Sequence, residues 1–274
     1  MAFKTICEKF ESVPEFVRHV EKKQRAEGKT KTRAADAWCP LTLADALKCG
    51  VSGAANDNYR SAVADDLRIL TANANTTGNS LNKDVEGQFF DVGDVLAGVP
   101  ECWYNQSQMP EREVINVDAA IGMSASYSAE EITRRGASII ALVDKLTECG
   151  FIPVLRLIFH TRLKRSRHHF DGDLTCIIEV ANNPIDLDAV AFMVANPAGL
   201  RRVCLAWEEI TTKKDDLNTY GPALSVVGCD PDDNGLRRVV FDADANCYSS
   251  EDKAREAIEK AAEMLSNGEK LVLI

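Results

Sequence analysis

Several absences narrow the reading before any motif is considered. No segment reaches 18 consecutive apolar residues, so a membrane-spanning helix is not expected. The nine cysteines, at 7, 39, 49, 102, 149, 176, 204, 229 and 247, are odd in number and include no C-x-x-C pair. That sets aside the usual zinc-ribbon and thioredoxin spacings and argues against a disulfide framework. Neither G-x-x-x-x-G-K-[ST] nor G-x-G-x-x-G nor G-x-S-x-G occurs, which leaves a nucleotide loop and a nucleophile elbow without support. With four histidines in the whole chain, no Ser/His/Asp or Cys/His constellation can be assembled. Positive charge is short as well: 32 Lys+Arg against 42 Asp+Glu give a net charge of −10, so any contact with nucleic acid must come from a local patch. The first ten residues alternate charged and apolar side chains, unlike a secretory signal. Together with scattered thiols, several inside apolar runs as small buried hydrophobes, this points to a reducing cytoplasm.

What is present is a soluble globular composition, 274 residues with 45% hydrophobic and 27% charged, enough for one large domain or two small ones. Residues 111–274 read as alternating strand and helix. Glu113 to Asp118 is a short apolar strand, and Ser128 stands three residues before Glu131, the spacing of a helix-capping box. Helical periodicity follows to Gly150, and Phe151 to Phe159 is a nearly continuous apolar run of strand length. Leu174 to Val180, Arg202 to Trp207, Arg238 to Asp242 and Leu271 to Ile274 read as further strands. Helices are expected from Asp186 to Ala195, stopped by Pro197, and from Ser249/Ser250 to Gly268. The expected fold is α/β, a doubly wound, mostly parallel sheet of about five or six strands with helices on both faces. Residues 1–110 read as a helical N-terminal subdomain packed on that core: an amphipathic helix through Phe10, Phe16, Val17 and Val20, helical pieces at 45–48 and 61–70, and a flexible polar loop near 72–80.

Two stretches carry a resemblance. Gly87 to Trp103, ending in Gly98-Val-Pro-Glu-Cys-Trp103, and Arg135-Gly-Ala through Leu146, with Trp38 and the Ala-rich helix after it, resemble an uncharacterised family encoded by tailed phages and prophages, over roughly residues 38–210. The resemblance implies a phage-derived intracellular protein and supplies no catalytic residues. Ser124-Ala-Ser126 at a strand end is also similar to the von Willebrand factor A domain, whose first strand delivers an Asp-x-Ser-x-Ser metal site; here position 122 is Gly and Asp118 stands too early.

Three clusters compete for a functional role. The stretch Gly122 to Ser128 lies between a strand C-terminus and a helix N-terminus, where free N–H groups favour an anion or a ligand oxygen. Its Ser124, Ser126 and Ser128 either cap the helix or help bind a ligand; with Asp118, Ser124 and Ser126 could hold Mg²⁺ through oxygen. Arg162, Lys164, Arg165 and Arg167 with His168 and His169 form a concentrated basic run, either a solvated loop between strands or a patch for nucleic acid or an acidic partner, with Phe170 available for stacking. His168, His169, Asp171 and Asp173 also offer a transition-metal set. Asp230-Pro-Asp-Asp-Asn-Gly235 reads as an acidic turn, and Asp242 with Asp244 as helix-start carboxylates.

The sequence therefore points to a non-enzymatic, phage-type cytoplasmic accessory protein that binds a protein or nucleic-acid partner through the switch-point loop and the basic loop. The alternatives are a metal-dependent phosphoesterase or nuclease using Asp118, Asp171, Asp173 and the histidines, and a virion structural or assembly protein.

Overall fold

In the computed structural model the described residues are 4–27, 39, 41–52, 89–90, 103–104, 113–123, 126–166, 169–180, 187–212, 223–231, 235–242 and 249–274, and the side chains of 163–171 lie outside them. The helical piece expected at 61–70, the loop near 72–80 and most of the Gly87 to Trp103 stretch also fall outside. In chain order the elements are β1 (Lys4–Phe10), α1 (Val13–Glu27), α2 (Leu43–Ser52), the two-residue strands β2 (Phe89–Phe90) and β3 (Trp103–Tyr104), β4 (Val114–Ala120), α3 (Ala129–Glu148), β5 (Ile152–Ser166), β6 (His169–Val180), α4 (Leu187–Ala195), a π-helical turn (Gly199–Cys204), α5 (Leu205–Thr212), β7 (Arg238–Phe241), α6 (Glu251–Ser266) and β8 (Leu271–Leu273).

These elements build the expected α/β fold. Six strands form one sheet in the order β1-β6-β5-β4-β7-β8, in which the β5–β6 pair is antiparallel and every other pair is parallel. The β4–α3–β5 and β7–α6–β8 units are parallel crossovers. Helix α3 starts as the sequence predicts: Ser128 Oγ accepts from the Glu131 N–H at 3.2 Å while Glu131 Oε2 accepts from the Ser128 N–H at 2.8 Å. It stops at Gly150, which takes a φ of +89° that a side chain would oppose.

One face of the sheet, through Val117, Leu157, Phe159, Ile178 and Val239, packs with the described helices into a single core around Trp207. The other face carries a small cluster, Ala120, Ile158, Ile177 and Val240, that among the described residues is met by Val226, Ala223 and Cys229 of segment 223–231. No single described helix is long and apolar enough to cross a membrane.

Three elements differ from the sequence reading. Lys4–Phe10 is a strand, parallel to β6. Its pattern is obscured because Glu8 has the same strand parity as the buried Phe10, and that carboxylate accepts from the Trp207 indole N–H at 2.8 Å. Arg202 to Trp207 is not a strand but the π turn running into α5, and every residue of that turn is buried. An apolar run buried on all sides has no period to separate strand from helix. The basic run Arg162 to His169 is not simply a loop: β5 continues to Ser166 and β6 begins at His169, so pairing runs through it.

The Arg135-Gly136 dipeptide of α3 has two structural roles. Arg135, fully buried, donates through Nη2 to the Phe241 carbonyl at 3.1 Å. A Cβ on Gly136 would lie 2.5 Å from the Ala195 Cβ and 2.8 Å from its Cα, so α3 and α4 approach this closely only because position 136 lacks a side chain. Gly136→Ala should lower the unfolding free energy by about 1–3 kcal/mol in urea titrations. An unchanged midpoint would contradict this packing.

Candidate functional site

The chain reverses its direction of travel across the sheet at β4, which has β5 on one side and β7 on the other, so the C-terminal end of β4 is a topological switch point. The turn that follows is tied in place, with Arg201 Nη2 donating to the Tyr127 carbonyl at 2.7 Å. Ser128 is committed to the capping box, Ser126 is exposed, and Ser124 lies outside the described residues.

Where β4 leaves the sheet, segment 223–231 takes its place beside β5. Thr161 and Ala223 form an antiparallel bridge, and the Leu224 N–H donates to the His160 carbonyl at 3.0 Å. His160 Nδ1 meets the Ser225 carbonyl at 2.7 Å, and the Val226 N–H donates to Asp242 Oδ1 at 3.3 Å. Asp242 is thus a strap anchor, while Asp244 lies outside the described residues. The strap then crosses the second face of the sheet and inserts Asp230 into it.

Beneath the strap lies a row of alternating charges. Asp118 on β4 and Arg156 on β5 are register partners, and Arg156 grips both carboxylate oxygens, Nε to Oδ1 at 2.6 Å and Nη2 to Oδ2 at 2.8 Å. The remaining Nη1 reaches Asp230 Oδ2 at 2.7 Å, and Lys9 Nζ on β1 meets Asp230 Oδ1 at 2.8 Å. On the far side Arg238 of β7 stands 3.6 Å from Asp118 Oδ2. Arg156, Asp118, Asp230 and Arg238 are buried, whereas the Lys9 side chain is 34% exposed and gives the row its opening to solvent. Burial opposes the charge on Arg156, yet its bonds to Asp118 and the nearby Asp230 carboxylate hold its pKa above the ordinary value. Burial also pushes the Cys229 thiol up to about 12, with the Asp118 and Asp230 carboxylates adding to the shift. Cys229, buried and with its thiol pushed up, should therefore be alkylated far more slowly than exposed Cys149 at pH 8, as measured by peptide mass spectrometry.

Of the sequence-predicted metal ligands, Asp118, Ser126 and Asp173 have described side chains. Both Asp118 oxygens are committed to Arg156, so a cation would have to displace a buried guanidinium. Asp173 pairs in register with Arg162, six residues further along β5 than the partner of Asp118, which separates the two carboxylates by about 20 Å. Asp118 and Asp173 therefore cannot share an ion. Among the described residues, no three His, Cys, Asp or Glu side chains come together as ligands.

The basic run forms the outer end of the β5–β6 hairpin. Beyond Ile158, the last partner of β4, β5 continues from Phe159 to Ser166, roughly 25 Å of extended chain. Among the described residues the flanking contacts stop early: the first described residue of β1, Lys4, stands opposite Gly172, and the strap bridges Thr161. Past them the hairpin pairs Leu163 with Gly172, Lys164 with Phe170 and Ser166 with His169, with register irregularities on both sides of Lys164 that sharpen its twist. Arg162 is half-exposed, 3.9 Å from Asp173. Lys164, Arg165 and His169 are placed by their strand backbone, and Arg167 and His168 lie outside the described residues, as do the side chains of His169 and Asp171.

With this geometry in hand, the comparisons give one result. A family model described as a domain of unknown function, DUF7192, matches residues 3–267. The chain belongs to the DUF7192 family. No curated protein and no solved structure matches it. For this DUF7192 protein, the group that sequence reasoning missed is the row centred on Arg156. Its signal was a single charge in the middle of an apolar strand, Val154-Leu-Arg-Leu-Ile158, which a soluble protein tolerates only against a buried carboxylate.

Proposed function

We propose that this DUF7192 protein is a non-enzymatic, phage-type intracellular accessory protein that binds a macromolecular polyanion, nucleic acid in the first instance, through the β5–β6 ribbon. The observation that supports the reading is the course of the hairpin: Lys164 and Arg165 stand on paired strand backbone beyond the last described partners of β4 and β1, with Arg162 just inside them and Arg167 next in sequence, on a chain of net charge −10. An antiparallel two-stranded ribbon has the width that a duplex groove admits, and its cations neutralise phosphates where the rest of the molecule would repel them. The switch-point loop has a smaller part, because Ser128 serves the helix cap. The likeness to von Willebrand factor A domains bears only on how β4 leads into α3.

The test is co-purification from expressing cells at low and high salt, with and without nuclease, for the wild type and for the Arg162→Ala/Lys164→Ala/Arg165→Ala/Arg167→Ala variant. Nucleic acid recovered with the wild type at low salt, and lost in the variant, is the expected result. Equal recovery by the two proteins would remove the ribbon from the reading.

A further inference from the structure

Four members of the buried charge row, Lys9, Arg156, Asp118 and Arg238, stand on strands of the sheet; Asp230 alone arrives from the strap. The sheet by itself thus presents three cations and one carboxylate on a largely dry face, and the fifth group is an anion delivered by a segment outside the strands. The way Asp230 is held resembles ligand recognition more than an ordinary surface pair. Asp118 fixes the guanidinium plane of Arg156 through two bonds, leaving Nη1 aimed at one Asp230 oxygen while Lys9 takes the other. Each oxygen of the carboxylate has its own charged donor, and one donor has been oriented in advance by a second carboxylate. Among the described residues the strap is tied by one β-bridge, isolated hydrogen bonds and the Asp230 ion pairs rather than by a continuous ladder. Such a segment opens at lower free energy than the strands beneath it.

We infer that the face under residues 223–231 is a carboxylate-binding site, formed by Arg156 and Lys9 with Asp118 and Arg238 behind them, in which Asp230 is the resident occupant. When the strap lifts, the carboxylate of a small organic acid or of an acidic peptide takes the place of Asp230. This site is separate from the basic ribbon and does not depend on what the ribbon binds.

Chemical replacement of the occupant tests the inference. Asp230→Ala removes the anion and leaves its space. In the full-length variant, thermal stability should fall, and Cys229, which packs under the strap, should be alkylated about tenfold or more faster than in the wild type. Sodium acetate should then restore both readouts in a saturable manner, while sodium chloride at the same ionic strength should not, and the wild type, in which Asp230 competes for the site, should respond only at far higher acetate. Acetate that does no more than chloride would overturn the inference, as would inorganic phosphate restoring the variant where acetate fails, since the site would then not be one for carboxylates. If Asp230→Ala does not fold, Asp230→Asn keeps the shape without the charge. Acetate should raise its melting temperature beyond the effect of chloride. If neither variant folds even with acetate present during refolding, Asp230 is a structural pin that no external carboxylate replaces, and the inference fails.

Discussion

Asp118→Asn should cost about 3–5 kcal/mol of stability, a large share of the marginal total of a domain this size. The reason is the environment of the carboxylate rather than the pair alone. Asp118 is 1% exposed and stands between two buried arginines, Arg156 and Arg238. Removing its charge takes one carboxylate from two buried guanidinium groups and leaves Arg156 its bond to Asp230. A urea titration followed by circular dichroism reads the loss directly as a lower midpoint. Replacing the pair together, Asp118→Leu with Arg156→Met, should recover a substantial part of the deficit, because two apolar side chains no longer require solvation. The cycle of single and double variants then gives a coupling energy for the two groups. A loss below about 1 kcal/mol for Asp118→Asn would mean that water reaches the row and that the burial described above is not maintained in solution.

The second large effect concerns the ribbon. If its four Lys/Arg each neutralise one phosphate, the affinity for duplex DNA should fall with a log–log salt slope of roughly −3.6, or about a hundredfold between 50 and 200 mM salt. Replacing all four by Ala should flatten that slope toward zero and weaken low-salt binding by a comparable factor. Replacing Arg162 alone should shorten the slope by about one unit without changing sequence preference. A steep slope retained by the fourfold variant would place the contacts elsewhere on the molecule. Fluorescence anisotropy with a labelled duplex measures both quantities.

The sheet, its central crossover and the helix caps were legible because each follows from local chemistry. The Ser128–Glu131 box, Gly150, Pro197 and Ser250 mark helix ends through backbone groups that must be satisfied or backbone angles that must be allowed, and such marks are written in three or four residues. The N-terminal strand was not legible because its inward-facing Glu8 depends on Trp207, a partner 199 residues away in sequence. The turn into α5 was hidden for the opposite reason: in Val203-Cys-Leu-Ala-Trp207 four residues are buried and Leu205 is partly buried, so its composition is apolar without a period. In the site the contrast is sharper. The sequence offered Asp118 as one possible cation ligand because it sits near serines at a strand end, and it gave no sign of the partner across the sheet, Arg156, 38 residues further along the chain. Asp230 read as one acid in an acidic turn, and it reaches into the sheet to pair with Arg156. Ion pairs between distant segments leave no spacing to read, only an isolated charge in an apolar run or an acid beside a proline.

The basic run shows a further limit. Its composition is that of a solvated loop, and the ladder through Lys164 and Ser166 is set by the hairpin partners rather than by β-propensity. What changes with the structure is its reach, since charges on a floppy loop and charges at the end of a projecting ribbon differ in what they can touch.

The central claim, that the ribbon is the contact surface, is tested most directly by photo-crosslinking the full-length protein to a labelled duplex at 50 mM salt, about the low end of the range where such contacts are strong, and mapping the linked peptides by mass spectrometry. The account predicts crosslinks concentrated in the peptides spanning residues 162–170, lost in the fourfold Ala variant. Crosslinks confined to other peptides, or none at all with either protein, would contradict it.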